Sequence, residues 1–276
     1  MNFYLFFLLI FSGCSTRNNI IKIKGSDTEV NLTVTLAEAF RSVYPQIVIS
    51  VSGGGSGLGI ASLMNGNADI ANSSRRINEK EVELLRQKNL VIDSFIFAQD
   101  AIAIIVSEKN PFDSISVETI RKILSGEVKE WSQICSFTKP INIYGRQSNS
   151  GTYEYVKKIL GIQFSPYAKQ MNGNAQIIEA LKADDSGIGY VSAGYVLKGN
   201  ITGLKLLKVY DNEKRAVSPL DAEAIARGEY FFQRPLYQYF RKNDWNRIAP
   251  FIEFEKSETG KRIILKSGYY PLMTTI

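Results

Sequence analysis

The sequence predicts a two-lobed α/β protein. Three observations lead there. From Ile20 onward, short apolar strands, loops rich in Ser and Gly, and amphipathic helices alternate, the pattern of a mostly parallel sheet covered by helices. The chain has 276 residues, 45% of them hydrophobic, enough for two cores at roughly 100–200 residues per domain. Two apolar segments, at 94–107 and 235–240, read as strands that cross between the lobes.

The elements follow in order. Residues 20–24 alternate apolar and basic side chains, a strand pattern. Val30, Val34, Ala37, Phe40 and Val43 recur at helical spacing, and Pro45 ends that helix. A strand at 47–51, a short helix carrying Leu58, Ile60, Ala61 and Met64, a strand at 68–71 and a helix at 79–88 come next. The segment 94–107 is too long for one ordinary strand and is broken by Gln99 and Asp100, so it is expected to form two strand halves. A helix at 117–124 stops at Gly126, and a strand at 141–145 leads to a helix with Tyr155, Val156, Ile159 and Leu160. A helix at 175–183, a strand at 187–191, the return crossing and further amphipathic helices complete the chain.

Composition narrows the chemistry. The net charge is +6 and the pI about 9.1, but the basic residues are scattered, so they read as a solvated surface and not as a nucleic-acid face. Histidine is absent, which removes Ser-His-Asp and Cys-His catalysis and every His-ligated metal site. Two cysteines, Cys14 and Cys135, cannot make a cysteine metal cluster. No catalytic residue, metal or cofactor is therefore expected. Phe3 to Phe11 is an apolar run far shorter than a membrane span. Residues 1–13 read as a signal peptide, and the small residues before Cys14 resemble a bacterial lipobox, which would make Cys14 the lipidated mature N-terminus.

Four loops share a chemistry suited to a small anion: Gly25-Ser26-Asp27-Thr28, Ser52 to Gly57 with three consecutive glycines, Asn72-Ser73-Ser74-Arg75, and Arg146 with Ser150-Gly151-Thr152. A helix N-terminus leaves about four N–H groups unpaired and carries roughly half a positive charge. Glycine admits a ligand close to the backbone, hydroxyls add donors, and a guanidinium offers a planar fork to an oxyanion. Each loop also has a plainer reading. Ser26 or Asp27 can simply cap a helix, the glycines can make a tight turn, Asn72 to Arg75 can be a surface loop, and Arg146 can form a surface salt bridge beside a capped helix. A nucleotide fits poorly, because Gly57-Leu58-Gly59 lacks the Walker lysine and no Gly-x-Gly-x-x-Gly register exists here.

At these loops the sequence resembles the phosphate-binding proteins of bacterial phosphate ABC transporters. The resemblance runs through GSDT at 25–28, SGGGSG at 52–57, ADIANSSR at 68–75, QDAIAIIV at 99–106, LSGEVKEW at 124–131, the span from Arg146 to Thr152, IGYVSAGY at 188–195 and RPLYQY at 234–239. It implies a type II periplasmic-binding-protein fold, with lobe one at 20–98 plus 240–276, lobe two at 99–239, and phosphate between them. It implies further that Ser26, Thr28, Ser56, Gly57, Ser74 and Arg75 approach the ligand from lobe one, and Arg146, Ser150, Gly151 and Thr152 from lobe two. Some members carry an aspartate near Ser74 that accepts the phosphate proton. Here Ser73-Ser74 stand there, so Asp27 is the first candidate acceptor and Asp100 the second.

The expected protein is a secreted, lipid-anchored monomer, periplasmic or at the cell surface. It would capture inorganic phosphate for the permease of an ABC importer, run no chemical step and bind no nucleic acid. The rival readings are a receptor for sulfate or molybdate, a hydrolase or phosphatase, and a surface adhesin or signalling protein on the same fold.

Overall fold

The structure is a computed structural model that describes residues 19–212, 214–272 and 274–275. The signal peptide at 1–13 and the anchor residue Cys14 lie outside the described residues. Strand and helix alternate along most of the described residues. The first part runs β1 (Ile20–Gly25), α1 (Val30–Val43), β2 (Val48–Ser52), α2 (Ser56–Met64), β3 (Ile70–Ser73), α3 (Glu79–Gln87) and the long β4 (Ile92–Ser107). The middle part runs β5 (Ser114–Ser116), α4 (Val117–Ser125), β6 (Asn142–Arg146), α5 (Gly151–Leu160), β7 (Lys169–Met171), α6 (Asn174–Lys182), β8 (Gly187–Ser192), α7 (Ala193–Lys198), β9 (Leu204–Tyr210) and α8 (Ala222–Ala226). The return strand β10 (Gln233–Arg241), then α9 (Trp245–Lys256), α10 (Glu258–Lys266) and β11 (Thr274–Thr275), complete it. No helix of the described residues is long and apolar enough to cross a membrane.

The sheet path is β2-β1-β3-β10-β4-β8-β6-β7. β1 lies parallel between β2 and β3, and β6 lies parallel between β8 and β7. β10 and β4 run antiparallel to each other and join these two parallel groups. The segment expected to split is a single strand, β4, that changes partner instead. Its residues up to Ala101 pair with β10, and those from Ile102 pair with β8.

The cores divide along the same strands. Ile23, Leu36, Phe40, Ile70, Phe97, Leu236, Phe251 and Ile264 pack together in lobe one. Ile104, Ile120, Trp131, Val156, Tyr190, Leu207 and Phe232 pack together in lobe two. β4 gives Ala98 to the first core and Ala101 to the second. β10 follows Phe232 of the second core and gives Leu236 to the first. Strand ends and helix starts of both lobes face each other where the crossing strands meet, the usual place for ligands in open α/β sheets.

Candidate functional site

In lobe one, β1 ends on Gly25, whose backbone is pressed against β3. A Cβ there would lie 2.1 Å from the Asn72 carbonyl oxygen, and its φ is +138°, so only glycine fits. The next amide, Ser26 N, donates to Asn72 O at 2.9 Å. The N-cap of α1 is Glu29, with no side-chain capping bond, so neither Ser26 nor Asp27 serves as the cap. Glu29 itself is fully buried with neither carboxylate oxygen hydrogen-bonded, and burial pushes its pKa well up. Thr28 is buried, and its carbonyl accepts from Tyr269 Oη at 2.7 Å.

The triple-glycine loop ends two residues sooner than expected, because α2 starts at Ser56 with Gly55 before it. Gly55 N donates to Gly25 O at 2.9 Å, tying the first two loops together. Ser56 is fully buried, and its hydroxyl oxygen accepts from Ser74 N at 3.1 Å and lies 3.4 Å from Ser74 Oγ. Three of the four loops thus converge within lobe one.

Lobe two supplies the fourth loop. Ser150 caps α5, its hydroxyl accepting from Thr152 N at 3.2 Å. Gly151 lets the start of α5 approach lobe one closely. A Cβ on it would sit 2.4 Å from Ser56 Oγ and 2.5 Å from Ser74 Oγ. Beside it Thr152 Oγ1 lies 3.3 Å from Thr28 Oγ1. Arg146, at the end of β6, is 2% exposed. Its Nη2 donates to Asn172 O at 2.9 Å, while Nε and Nη1 have no hydrogen-bond partner. Nη1 stands 3.6 Å from Asp27 Oδ2, the nearest opposite charge. Desolvation by burial lowers the Arg146 pKa, against the pull of Asp27.

Thr28, Ser56, Ser74, Gly151 and Thr152 are therefore brought together by direct contacts, with Arg146 and Asp27 paired alongside. Two expected donors are spent on protein partners. Gly57 N donates to Asn149 O at 3.1 Å. Arg75 is held by Glu81 and Glu154. Asp27 Oδ2 accepts from Asn174 N at 3.0 Å and Asn174 Nδ2 at 3.3 Å, so it also bridges the lobes.

One residue was not expected at all. Arg234, on β10, is 1% exposed and sits at the centre of the contact between lobes. Its Nη2 donates to Asp100 Oδ2 at 2.9 Å, Thr152 Oγ1 at 3.0 Å and Thr28 Oγ1 at 3.2 Å. Its Nη1 donates to Ser74 O at 3.3 Å. Asp100, the second candidate acceptor, is fully buried and already accepts from Arg234 and from Ser192 Oγ at 2.7 Å. Burial pushes its carboxyl up, and Arg234 and Ser192 oppose that. Because both threonine hydroxyls accept from Arg234, their protons point elsewhere, and at most one serves the Thr28–Thr152 contact. Hydroxyls, the Arg234 guanidinium and the start of α5 lie together here, a donor chemistry suited to oxyanions.

A family model for a PBP superfamily domain matches residues 13–257. The chain belongs to that superfamily. Among known relatives, the phosphate-binding protein PstS of Pseudomonas aeruginosa is 29% identical over 268 residues, covering 90% of this chain and 81% of its own. The crystal structure of an ABC-type phosphate transport receptor from Vibrio cholerae matches with a TM-score of 0.71 at 27% identity, over 91% of this chain and 99% of that one. PstS from Borrelia burgdorferi matches with a TM-score of 0.58 at 28% identity, over 92% and 99%. The fold is the two-lobed one that the sequence resemblance implies.

Proposed function

We propose that this protein captures inorganic phosphate between its lobes and delivers it to an ABC importer, without a chemical step. The observation that carries the reading is Arg146, a buried guanidinium with two nitrogens lacking hydrogen-bond partners, in the segment that leads from β6 to the Ser150-Gly151-Thr152 helix start. Buried donors are almost always satisfied, so these two call for an acceptor, and a charge-assisted bond to an oxyanion meets the need. The names of the relatives support phosphate as that anion.

In this reading Thr28, Ser56 and Ser74 approach from lobe one, and Arg146, Gly151 and Thr152 from lobe two. Ser26 and Ser150 act mainly by shaping their loops. Arg234 orients the two threonines. Asp27 is the carboxylate placed to accept the phosphate proton, since Asp100 is already saturated by Arg234 and Ser192. The lobes divide at about 98 on β4 and at about 235 on β10, following the cores. Cys14 carries the lipid anchor after removal of residues 1–13, and the protein works outside the cytoplasm as a monomer.

Native mass spectrometry of the protein purified from phosphate-containing medium tests the ligand. A stoichiometric phosphate adduct supports the reading. A sulfate or molybdate adduct would move it to another tetrahedral oxyanion.

A further inference from the structure

Arg75 follows β3 in lobe one, and all three of its guanidinium nitrogens face protein oxygens. Nη1 and Nη2 each donate to Glu81 at 2.7 Å, and Nη1 also donates to Arg76 O at 2.9 Å. Nε lies 2.9 Å from Glu154 Oε2, a charge contact and not an aligned hydrogen bond. The two carboxylates differ in one respect. Glu81 belongs to the same lobe, where it completes the capping box of α3 with Asn78. Glu154 belongs to the other lobe, in the first turn of α5.

Glu81 therefore holds Arg75 in place whatever the lobes do. Glu154 reaches Arg75 only when the lobes are together. The same turn of α5 carries Gly151 and Thr152, and a Cβ on Gly151 would meet Ser56, Ser74 and Arg75 itself. One movement thus seats the helix start on the hydroxyls and brings Glu154 to Arg75. The contact is also partly shielded. The Arg75 side chain is 7% exposed and that of Glu154 34%, so it is worth more than an open surface pair.

We propose that Arg75 and Glu154 form a latch that holds the lobes together over the anion, and that Arg75 is a positioning residue and not a ligand donor. This rests on the phosphate reading of the site. A contact made in only one of two states shifts the population toward that state. The latch accordingly slows phosphate release and leaves capture almost unchanged.

The test is a double-mutant cycle read by phosphate dissociation and association rates. Glu154→Gln and Arg75→Gln should each raise the dissociation rate about three- to tenfold, with association changed by less than about twofold. The double variant should match either single one, because both remove the same contact. Unchanged dissociation in folded Glu154→Gln would overturn the latch. So would multiplicative effects in the double variant, which would place Arg75 on the phosphate. If Arg75→Gln does not fold, Glu154→Lys replaces it, with dissociation faster than in Glu154→Gln expected and equal rates contradicting the proposal. If the wild type binds no phosphate, the functional reading fails and small-angle scattering of the ligand-free proteins reads the latch. A larger radius of gyration in Glu154→Gln than in wild type supports it, and equal radii overturn it.

Discussion

Arg234 and Asp100 stand opposite each other across the two strands that join the lobes. They are register partners on β10 and β4, and both are buried. The guanidinium donates twice to the carboxylate and once to a threonine from each lobe. The ion pair is thus placed where a change in either lobe is felt by the other.

Removing one member of a buried pair leaves the other charge unpaired, which costs roughly 3–5 kcal/mol. Asp100→Ala should destabilise the protein by an amount in that range, measured by urea denaturation. A loss smaller than about 1 kcal/mol would mean that Thr28, Thr152 and Ser74 alone satisfy Arg234.

Stability should fall as pH rises through neutrality. Burial pushes the Glu255 carboxyl up to about 8, with Gln238 Nε2 donating to it at 3.0 Å, and it pushes Glu29 up as well. In the unfolded chain both titrate near the ordinary value of 4.5. Between the two values the folded state holds protons that the unfolded state has released, so stability declines with rising pH. The contribution is fully present below 4.5 and lost above about 8. Surface carboxylates held low, such as Glu118 beside Arg121 at about 2, act only below this window. The urea midpoint should drop between about pH 5 and 8, and Glu255→Gln should flatten the slope. A midpoint that rises over that range would contradict the assignment.

Much of this was readable before any coordinates. Gly126 ends α4 in a left-handed conformation, as its position after an apolar helical run suggests. The four loops were visible because Ser, Thr and Gly between strand and helix patterns carry a donor chemistry of their own. Arg234 was missed, although RPLYQY was already in view as a motif. Its signal was a lone arginine in an apolar crossing strand, matched by a lone aspartate in the other, and each such charge needs a partner when buried. The engagement of Arg75 and Gly57 was not readable. Glu154, the second partner of Arg75, and Asn149, the partner of Gly57, lie in the other lobe, and sequence spacing does not encode that meeting. Asp27, the first candidate acceptor, had helix capping as its plainer reading, and its carboxylate reaches Asn174 and Arg146 across the lobes.

Selectivity should depend on Asp27. Near neutral pH phosphate keeps a proton that sulfate lacks, and a carboxylate accepts it. Facing sulfate, that carboxylate loses the donor that a protonated phosphate would supply, a loss of roughly 1–3 kcal/mol. Asp27→Asn should therefore narrow the phosphate-over-sulfate preference, even if both anions bind more weakly. Competition titrations with the two anions decide it. An unchanged ratio in Asp27→Asn, with a collapse in Asp100→Asn, would transfer the role to Asp100.

Attachment should depend on Cys14. Bacterial lipoproteins carry several acyl chains, which suits stable anchoring. Cys14→Ser should release the protein from membranes or block its processing. A variant that stays membrane-bound and is cleaved at the same site would show the cysteine to be incidental.

The central claim is that Arg146 holds a phosphate between the lobes, and titration calorimetry on anion-stripped protein tests it most directly. Each charge-assisted hydrogen bond contributes roughly 1.5–3 kcal/mol, so Arg146→Ala should weaken phosphate binding by about tenfold to a hundredfold or more. Wild-type protein that binds phosphate, together with a folded Arg146→Ala that binds it this much less tightly, is the predicted result. Equal affinity in the two proteins, or no phosphate binding by the wild type, would contradict it.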